Sequence, residues 1–478
     1  MSIKQKTIQG FFWSILQNWG SQAGSFIVFL ILARLLTPED FGLVSLANVL
    51  LALMNIFLEQ GLSSALIQRE KLEREHLDTV FCTQVIIGIF LTLISFFLAD
   101  SIANIFNQPQ LIPIIKCLSF LFIINSFGHV YQAILKRELN FKIMAIRSLI
   151  AIFISGILAI FIAFLGAGVW SLVIQQFVFE SIVVLVMSKA VNWRPMFRFS
   201  YRHFQELFSF SFYVLSYQFM NFVERKFDNL LVGYFLGEIA LGYYTIAHRI
   251  LEVMNQLLVG TLNQVALPLF ARLQNHSQSF LETFYRATQW TCLITFPIFS
   301  ATIILSSELI ITLFGEKWLH VIPIMQILSL GGIIYTITSF QKSAFLALGK
   351  PNLQLKLGLI NSILNFVFCL TAVKWGVTAI ALAYVTSNYI VFPIGQLMLN
   401  RLIILSWKTY LSKFLAPITC TLMMILGLLL TKIILTPYLS PLLILISCSI
   451  IGFLIYLVTL RIFFTELFKE ILNLISGT

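Results

Sequence analysis

Charged side chains inside a long apolar stretch are the first feature of this sequence that could do chemistry. They recur at spacings of three and four residues, which places them on one face of a helix. The set comprises Asn221, Glu224, Arg225 and Asp228, with Lys226 beside them. In a membrane-spanning helix an ionisable group costs roughly 2.5–3.5 kcal/mol, so each must face a cavity, a partner or an interface.

Three further apolar stretches carry similar polar stripes. They hold Gln17, Asn18, Ser21 and Gln22, then Ser45, Asn48, Asn55, Glu59 and Gln60, and later Thr245, His248, Arg249, Glu252, Asn255 and Gln256. The arginine guanidinium group is a planar fork of donors that suits phosphate oxygens and stays charged at any working pH. Buried carboxylates can exchange protons or bind sodium while a transport site switches sides. The candidates for such ion coupling are Glu59, Glu180, Glu224, Asp228 and Glu252.

Simpler structural roles remain open for several of these groups. Arg225 and Asp228, three residues apart, could form a structural pair on a helix surface. Glu180 and Arg147 fit a structural and a functional role about equally, and Arg147 could simply snorkel towards the membrane interface. His129 fits a core or interface histidine better than a proton carrier.

The elements that must position these groups are membrane-spanning helices. The chain of 478 residues is 59% hydrophobic and 11% charged, with a mean hydropathy of +0.93, and no water-soluble fold hides that much apolar surface. A spanning helix needs roughly 20 apolar residues. Such runs predict an all-α polytopic membrane protein of about fourteen transmembrane helices. They lie near 11–36, 42–66, 79–99, 114–135, 143–165, 168–190, 206–236, 240–266, 286–306, 321–348, 353–373, 376–400, 410–433 and 439–462.

The distribution of positive charge predicts the orientation of these helices. Most of the 31 lysine and arginine residues fall near the termini and in the even-to-odd connections. The odd-to-even connections hold only Arg34, Lys116, Lys317, Lys374 and Lys432. By the positive-inside rule both termini should lie in the cytoplasm. The net charge of +11 is spread over alternate loops instead of forming a patch, so we expect no nucleic-acid partner.

An internal repeat organises the predicted helices. Residues 42–47 match residues 242–247, and Met54-Asn55 matches Met254-Asn255, both at an offset of 200. Two further matches follow in order at similar offsets, between Ile112-Pro113-Ile114 and Ile322-Pro323-Ile324, and between Gly168-Val169 and Gly376-Val377. Because the offset spans six helices, an even number, the two copies should run parallel.

The repeat predicts six-helix lobes at residues 1–200 and 201–405, with two additional helices and a cytoplasmic tail at 406–478. Two such lobes around a central cavity form an alternating-access machine in many transporters. Predicted helices 1, 2, 7 and 8, which are equivalent pairs under the repeat, hold the polar stripes. The substrate cavity should therefore open among them.

Two stretches carry a resemblance to a known family. They are Ala33-Arg34-Leu35-Leu36-Thr37-Pro38-Glu39-Asp40-Phe41-Gly42, and Arg225-Lys226-Phe227-Asp228-Asn229-Leu230-Leu231-Val232-Gly233 followed by Leu241-Gly242-Tyr243-Tyr244. Together they resemble the polysaccharide transporter family of the multidrug/oligosaccharidyl-lipid/polysaccharide flippase superfamily, of the colanic-acid and teichuronic-acid exporter type. The resemblance covers nearly the whole chain.

This resemblance implies a flippase that moves an undecaprenyl-diphosphate-linked oligosaccharide across the bacterial inner membrane for surface polysaccharide biosynthesis. Cavity arginines hold the diphosphate in the superfamily's lipid flippases, and ion coupling is suspected in some members. This role is carried over to Arg34, Arg225 and Arg249. Asn48, Asn55, Asn221 and Lys226, from the polar stripes, complete the expected substrate-binding set. A glycan polymerase is a further expected partner.

Two rival functions can be weighed from the sequence. A multidrug or cation antiporter of the same superfamily would be expected to use an acidic residue in the first helix, and residues 11–36 contain none. A glycan polymerase or ligase would need a catalytic group in a sizeable outer loop. The sequence shows no nucleophile and base pair, metal cluster or glycine-rich phosphate loop. We therefore expect a transporter without catalytic residues, cofactor or metal.

Overall fold

The chain folds almost entirely into helices. The computed structural model describes residues 3–59, 61–403 and 406–476, and within them no β-strand occurs. In the first half of the chain the helices are α1 (Ile3–Leu35), α2 (Pro38–Glu59), α3 (Leu62–Gln68), α4 (Arg74–Ile105), α5 (Leu111–Ser119), α6 (Leu121–Arg137), α7 (Phe141–Phe164), α8 (Trp170–Ala190) and α9 (Tyr201–Asn255). In the second half they are α10 (Thr261–Leu273), α11 (Ser277–Ile304), α12 (Ser306–Leu313), α13 (Val321–Ala347), α14 (Pro351–Ala372), α15 (Val377–Asn400), α16 (Trp407–Ser412), α17 (Leu415–Leu435), α18 (Pro441–Phe463) and α19 (Thr465–Ser476).

Twelve helical stretches of the described chain are long and apolar enough to cross a membrane. Large apolar side chains face outward on them; Phe97 is 75% exposed and Leu430 63%. In lipid such side chains are at no disadvantage, and helices satisfy their own backbone hydrogen bonds. All fourteen predicted spans overlap helices. The predicted class is confirmed: the chain is an all-α multi-pass membrane protein.

Two predicted spans are interrupted in the structure. The span at 42–66 is divided between α2 and α3 because Gly61 adopts a left-handed conformation with φ 68°. That conformation is readily accessible only to glycine. The span at 114–135 is divided at Phe120, between α5 and α6. Neither break was apparent from the continuous apolar runs.

The longest helix, α9, covers the predicted span at 206–236 and most of the one at 240–266. It has 55 residues, and Gly237 interrupts its helical geometry with φ 83° and ψ 178°. This positive φ again requires glycine. The kink falls between the predicted spans 206–236 and 240–266, as two consecutive helices would require.

The chain divides into two compact units, residues 1–245 and 246–478. In the first, a core forms where α3, α4 and α6 pack around Phe81 and Val130. In the second, aromatic residues such as Phe270 and Tyr410 form a core among α10, α11, α13 and α16. The division into lobes at residues 200 and 405, derived from the repeat, stays a prediction.

The two C-terminal spanning helices are fastened to the second unit. The hydroxyl of Tyr456 on α18 donates to the backbone oxygen of Leu293 on α11 at 2.7 Å. The ammonium of Lys432 on α17 lies 2.9 Å from the carboxylate of Glu308 on α12. These polar contacts fix α17 and α18 against specific partners where apolar packing alone would permit sliding.

Candidate functional site

The first motif of the resemblance begins α2 with a reciprocal capping box. The backbone N–H and hydroxyl of Thr37 donate to Asp40 Oδ2 at 2.9 and 2.8 Å, and the backbone N–H of Asp40 lies 3.3 Å from Thr37 Oγ1. Pro38 occupies the first helical position, where its missing N–H costs nothing. The motif Thr-Pro-Glu-Asp therefore sets where α2 starts, a signal that the sequence already contained.

Gly42 and Gly242 bring two helices into backbone contact. A β-carbon at residue 42 would lie 1.8 Å from the carbonyl oxygen of Glu238, and one at residue 242 would lie 2.0 Å from that of Pro38. Only glycine permits this approach. Because 42 and 242, and 38 and 238, are each 200 residues apart, the two contacts are equivalent under the predicted repeat.

A hydrogen bond joins the same two helices close to these glycines. The hydroxyl of Thr245 donates to Ser45 Oγ at 3.0 Å, again between residues 200 apart. These two residues belong to the predicted polar stripes of helices 2 and 8. The structure thus brings the beginnings of those two stripes together.

The α1 and α2 candidates lie at several depths. Arg34 is exposed in the last turn of α1, whereas Asn48 and Asn55 are half-buried on α2. Glu59 ends α2, is half-buried, and interacts electrostatically with His129 on α6. The structure therefore gives Glu59 a titratable neighbour that the sequence did not indicate.

On α9, Asp228 is a buried side chain with defined partners. It is 2% exposed, its Oδ2 accepts a hydrogen bond from the Tyr244 hydroxyl at 2.7 Å, and its Oδ1 accepts from the backbone N–H of Asn229 at 2.9 Å. Because Tyr244 lies beyond the kink at Gly237, this bond ties the two halves of the helix. Lys226 is exposed.

The side chains of three α9 candidates are not among those that the structure describes. They are Asn221, Glu224 and Arg225. The predicted pairing of Arg225 with Asp228 therefore stays a prediction.

Arg147 on α7 is a buried charge with Glu180 on α8 as an electrostatic neighbour. Arg147 is 7% exposed, donates to the sulfur of Met187, and interacts electrostatically with Glu180. Snorkelling to the interface, the simplest alternative from the sequence, does not describe a side chain that is this buried. The structure favours an internal position for Arg147, with Glu180 as its electrostatic neighbour.

In the second unit, Arg249 and Glu252 form an ion pair. Arg249 Nη1 lies 3.1 Å from Glu252 Oε2, and Glu252 is the more exposed partner. The sequence assigned these residues to different roles, substrate binding and ion coupling, and the structure places them in contact. The preceding residue, His248, packs edge-on against Tyr384.

A polar cluster at the start of α4 and α9 was missed by the sequence analysis. Glu206 pairs with Arg69, with Arg202 at 3.2 Å, and with His76 Nε2 at 3.3 Å. The hydrogen bond from His76, and then the nearby arginines, lower the pKa of Glu206. We call Arg69, Glu73, His76, Arg202, His203 and Glu206 the polar clamp.

Three members of the polar clamp have ligand types that could hold a metal ion. Glu73, His76 and His203 place such atoms within 4.8 Å of one another. However, the ring nitrogens of His203 already contact Ser200 Oγ at 2.7 Å and Glu73 Oε2 at 3.3 Å. The backbone N–H of Glu73 donates to His76 Nδ1, and His76 Nε2 faces Glu206. With both rings engaged, the geometry favours a hydrogen-bonded clamp over a metal site.

Comparison with known proteins identifies relatives along most of the chain. Teichuronic acid biosynthesis protein TuaB of Bacillus subtilis is 26% identical over 430 residues, which cover 88% of each chain. Succinoglycan biosynthesis transport protein ExoT of Rhizobium meliloti is 27% identical over 69% of this chain and 67% of that protein. Lipopolysaccharide biosynthesis protein WzxC of Escherichia coli is 26% identical over 76% of this chain and 74% of that protein.

Solved structures share the fold. The lipid II flippase MurJ, in an inward closed conformation, matches with a TM-score of 0.79 at 20% identity, covering 96% of this chain and 99% of MurJ. An inward-facing multidrug resistance MATE family transporter matches with a TM-score of 0.63 at 18% identity, covering 80% of this chain and 95% of that one. At these identities the likeness concerns the fold alone.

The profile of one protein family covers the region that holds Gly42, Gly242 and most of the candidate residues. It is described as "Polysaccharide biosynthesis protein" and matches residues 31–323, more than half of the chain. The resemblance inferred from the two sequence motifs is therefore confirmed. This multi-pass membrane protein belongs to the polysaccharide biosynthesis protein family.

Proposed function

We propose that the chain is a flippase that moves a lipid-linked oligosaccharide across the inner membrane for cell-surface polysaccharide biosynthesis. The observation that carries this proposal is the alignment with TuaB along 88% of both chains. The relatives serve different polysaccharides, which are teichuronic acid, succinoglycan and lipopolysaccharide. The resemblance implies a sugar unit carried on a lipid diphosphate, and this diphosphate is the feature that one transporter family could recognise across different polysaccharides.

The cationic candidates are proposed to bind that diphosphate. Phosphate oxygens prefer charge-assisted hydrogen bonds from guanidinium and ammonium groups. Arg34 and Lys226 in the first unit are both exposed enough to reach a ligand. In the second unit, Arg249 would have to exchange its contact with Glu252 for the ligand. Arg225 and the amides of Asn48, Asn55 and Asn221 complete the proposed set.

Ion coupling is proposed to involve Glu59 before the other carboxylates. It is half-buried and has His129 as a titratable neighbour. Asp228 and Glu180 are engaged with Tyr244 and Arg147, which supports structural roles for both. If Glu59 carries the coupled proton, E59Q should abolish stimulation of transport by a pH gradient, whereas S64A, at a half-buried polar residue of α3, should retain it.

A multidrug transporter is the second candidate, favoured by the MATE likeness. The MurJ alignment leaves only 4% of this chain uncovered, so it must include most of α17 and α18, whereas the MATE alignment leaves 20% uncovered. Because both likenesses concern the fold, the preference for a lipid-linked substrate rests on the sequence relatives.

Deletion of the gene tests the two candidates against each other. A flippase mutant should lack surface polysaccharide and accumulate lipid-linked glycan in the inner leaflet, measured by lipid extraction and sidedness labelling. Intact surface polysaccharide together with increased drug sensitivity would refute the flippase. For the site, R34Q should weaken transport at least about tenfold, the scale of a charge-assisted hydrogen bond. R461Q, at an exposed arginine ending α18, is the matched control.

We further propose a bacterial inner-membrane location with both termini in the cytoplasm, a glycan polymerase as functional partner, and transport without enzymatic turnover of the glycan. The distribution of lysine and arginine supports the orientation. Reporter fusions at both ends test it, and a periplasmic signal from either end would overturn it.

A further inference from the structure

The connection between α8 and α9 is an extended segment that is firmly attached along one side. Residues 191–200, which we call the strap, contain no helix. The backbone N–H of Met196 donates to Asp78 Oδ1 at 3.1 Å, and that of Ser200 donates to Thr79 Oγ1 at 3.1 Å. Both acceptors are buried on α4, so the strap is fixed by specific bonds.

Aromatic packing adds to this attachment. The ring of Trp193 lies 5.8 Å from that of Phe81 and 5.5 Å from that of Tyr131. Arg194 Nη1 also donates to the backbone oxygen of Val191 at 2.6 Å. These contacts fix the strap against α4 and α6. The side chains on its other side are therefore held in place as well.

The outer side of the strap and the residue that follows it are aromatic. Phe197 is 77% exposed, Phe199 53% and Tyr201 65%. Arg198, which is exposed, lies between Phe197 and Phe199 in the strap. Arg202, also exposed, follows Tyr201 in the first turn of α9. Leaving such aromatic area in water is unfavourable.

The position of the strap identifies what covers these rings. Its anchors, Asp78 and Thr79, lie where the predicted apolar run of α4 begins, and the outward-facing apolar residues of α4 start a few positions later at Ile86. That level corresponds to the boundary between headgroups and acyl chains, where aromatic rings are enriched. Juxtamembrane arginines at this level meet lipid phosphates.

We propose that the strap is a binding surface for anionic phospholipids of the leaflet at that end of the helices. Phe197 and Phe199 insert at the acyl boundary, while Arg198 and Arg202 contact headgroup phosphates. Within the described chain Arg198 forms no ion pair, and Arg202 is shared with Glu206. The occupant is the bulk anionic lipid and not the transported substrate, so this proposal does not depend on the proposed function.

Lipid retention by the purified full-length protein tests the charge component. We expect R198Q/R202Q to retain phosphatidylglycerol roughly thirtyfold more weakly in native mass spectrometry, on a scale of about fivefold per arginine. R198K/R202K should largely restore retention. R401Q/K408Q, which removes two exposed charges elsewhere, should behave as wild type. Retention that is unchanged in R198Q/R202Q, or equal for phosphatidylglycerol and phosphatidylcholine in wild type, would overturn the proposal.

A depth measurement tests the aromatic component. A nitroxide at F197C, in bilayers containing phosphatidylglycerol, should collide mainly with oxygen, which concentrates in lipid. A label at E75C, an exposed position in the first turn of the same α4, should collide mainly with a water-soluble nickel complex. Equal exposure of both labels to the nickel complex would place Phe197 in water or against a protein partner and refute the lipid contact. R198Q alone, which leaves the polar clamp intact, keeps the test valid if the double variant misfolds.

Discussion

The close approach of Gly42 to Glu238 and of Gly242 to Pro38, the glycine crossing, makes the most quantitative prediction. In G42A the new methyl group would lie 1.8 Å from the carbonyl oxygen of Glu238. Carbon and oxygen ordinarily approach to about 3.3 Å, so the two backbones must separate by about 1.5 Å. The obstructing atoms at Glu238 are backbone atoms, and residue 42 lies within α2, so neither side can rotate away. We therefore expect the upper end of the range for overpacking, about 3 kcal/mol.

Thermal unfolding in detergent measures this cost. We expect G42A to lower Tm by roughly 5 °C or more. G24A is the matched control, because its methyl group would meet Ile152 Cγ2 at an ordinary 3.4 Å. Alanine should favour the helix there, so Tm should hold or rise.

The equivalent position provides a second test. A shift of one backbone away from the other relieves the clashes at residues 42 and 242 together. The double variant G42A/G242A should therefore lose less stability than the sum of the single variants. Equal melting of G42A and G24A, or strictly additive losses at 42 and 242, would refute the close crossing.

Three other contacts make shorter predictions. Y244F removes the hydrogen bond to buried Asp228 and should cost about 1–3 kcal/mol, seen as a lower Tm without loss of expression. K432M leaves the largely buried carboxylate of Glu308 without its ion-pair partner and should cost about 3–5 kcal/mol, whereas K432M/E308L should recover most of it. Because the pKa of Glu206 is lowered in the fold, its ionised form stabilises the protein above its ordinary value of 4.5 and this contribution is lost as pH falls through the lowered pKa; E206Q should show a smaller drop in Tm on acidification than wild type.

Some local features were predictable because they depend on neighbours in sequence. The Thr37 to Asp40 capping box needs residues three apart, and the offset of 200 between Gly42 and Gly242 was visible as a repeat. The sequence did not indicate the polar clamp, because its members come from the end of α3, the residue before α4, α4 itself and α9. Charged residues near helix ends can be counted from a sequence, but which of those ends lie next to one another is known only from the fold.

The surroundings of the buried charges could not be predicted from the sequence. From spacing alone, Arg147 suited the interface as well as the interior, and only the packing of α7 on α8 buries it near Glu180. For Asp228 the spacing offered Arg225, one turn away, as a possible partner, and that pairing stays a prediction. The structure adds Tyr244, sixteen residues further on, because Gly237 folds the chain back.

The sequence by itself determined that this protein is a helical membrane protein, since apolar runs of spanning length have no other stable solution in lipid. It also determined the family, through one motif that starts α2 and another whose two parts flank the kink of α9. Only the tertiary structure decided which charged groups are paired, which glycines touch backbone, and which aromatic rings of the strap remain outside. Those properties depend on distances between residues far apart in the chain, and helical periodicity constrains only residues a few positions apart.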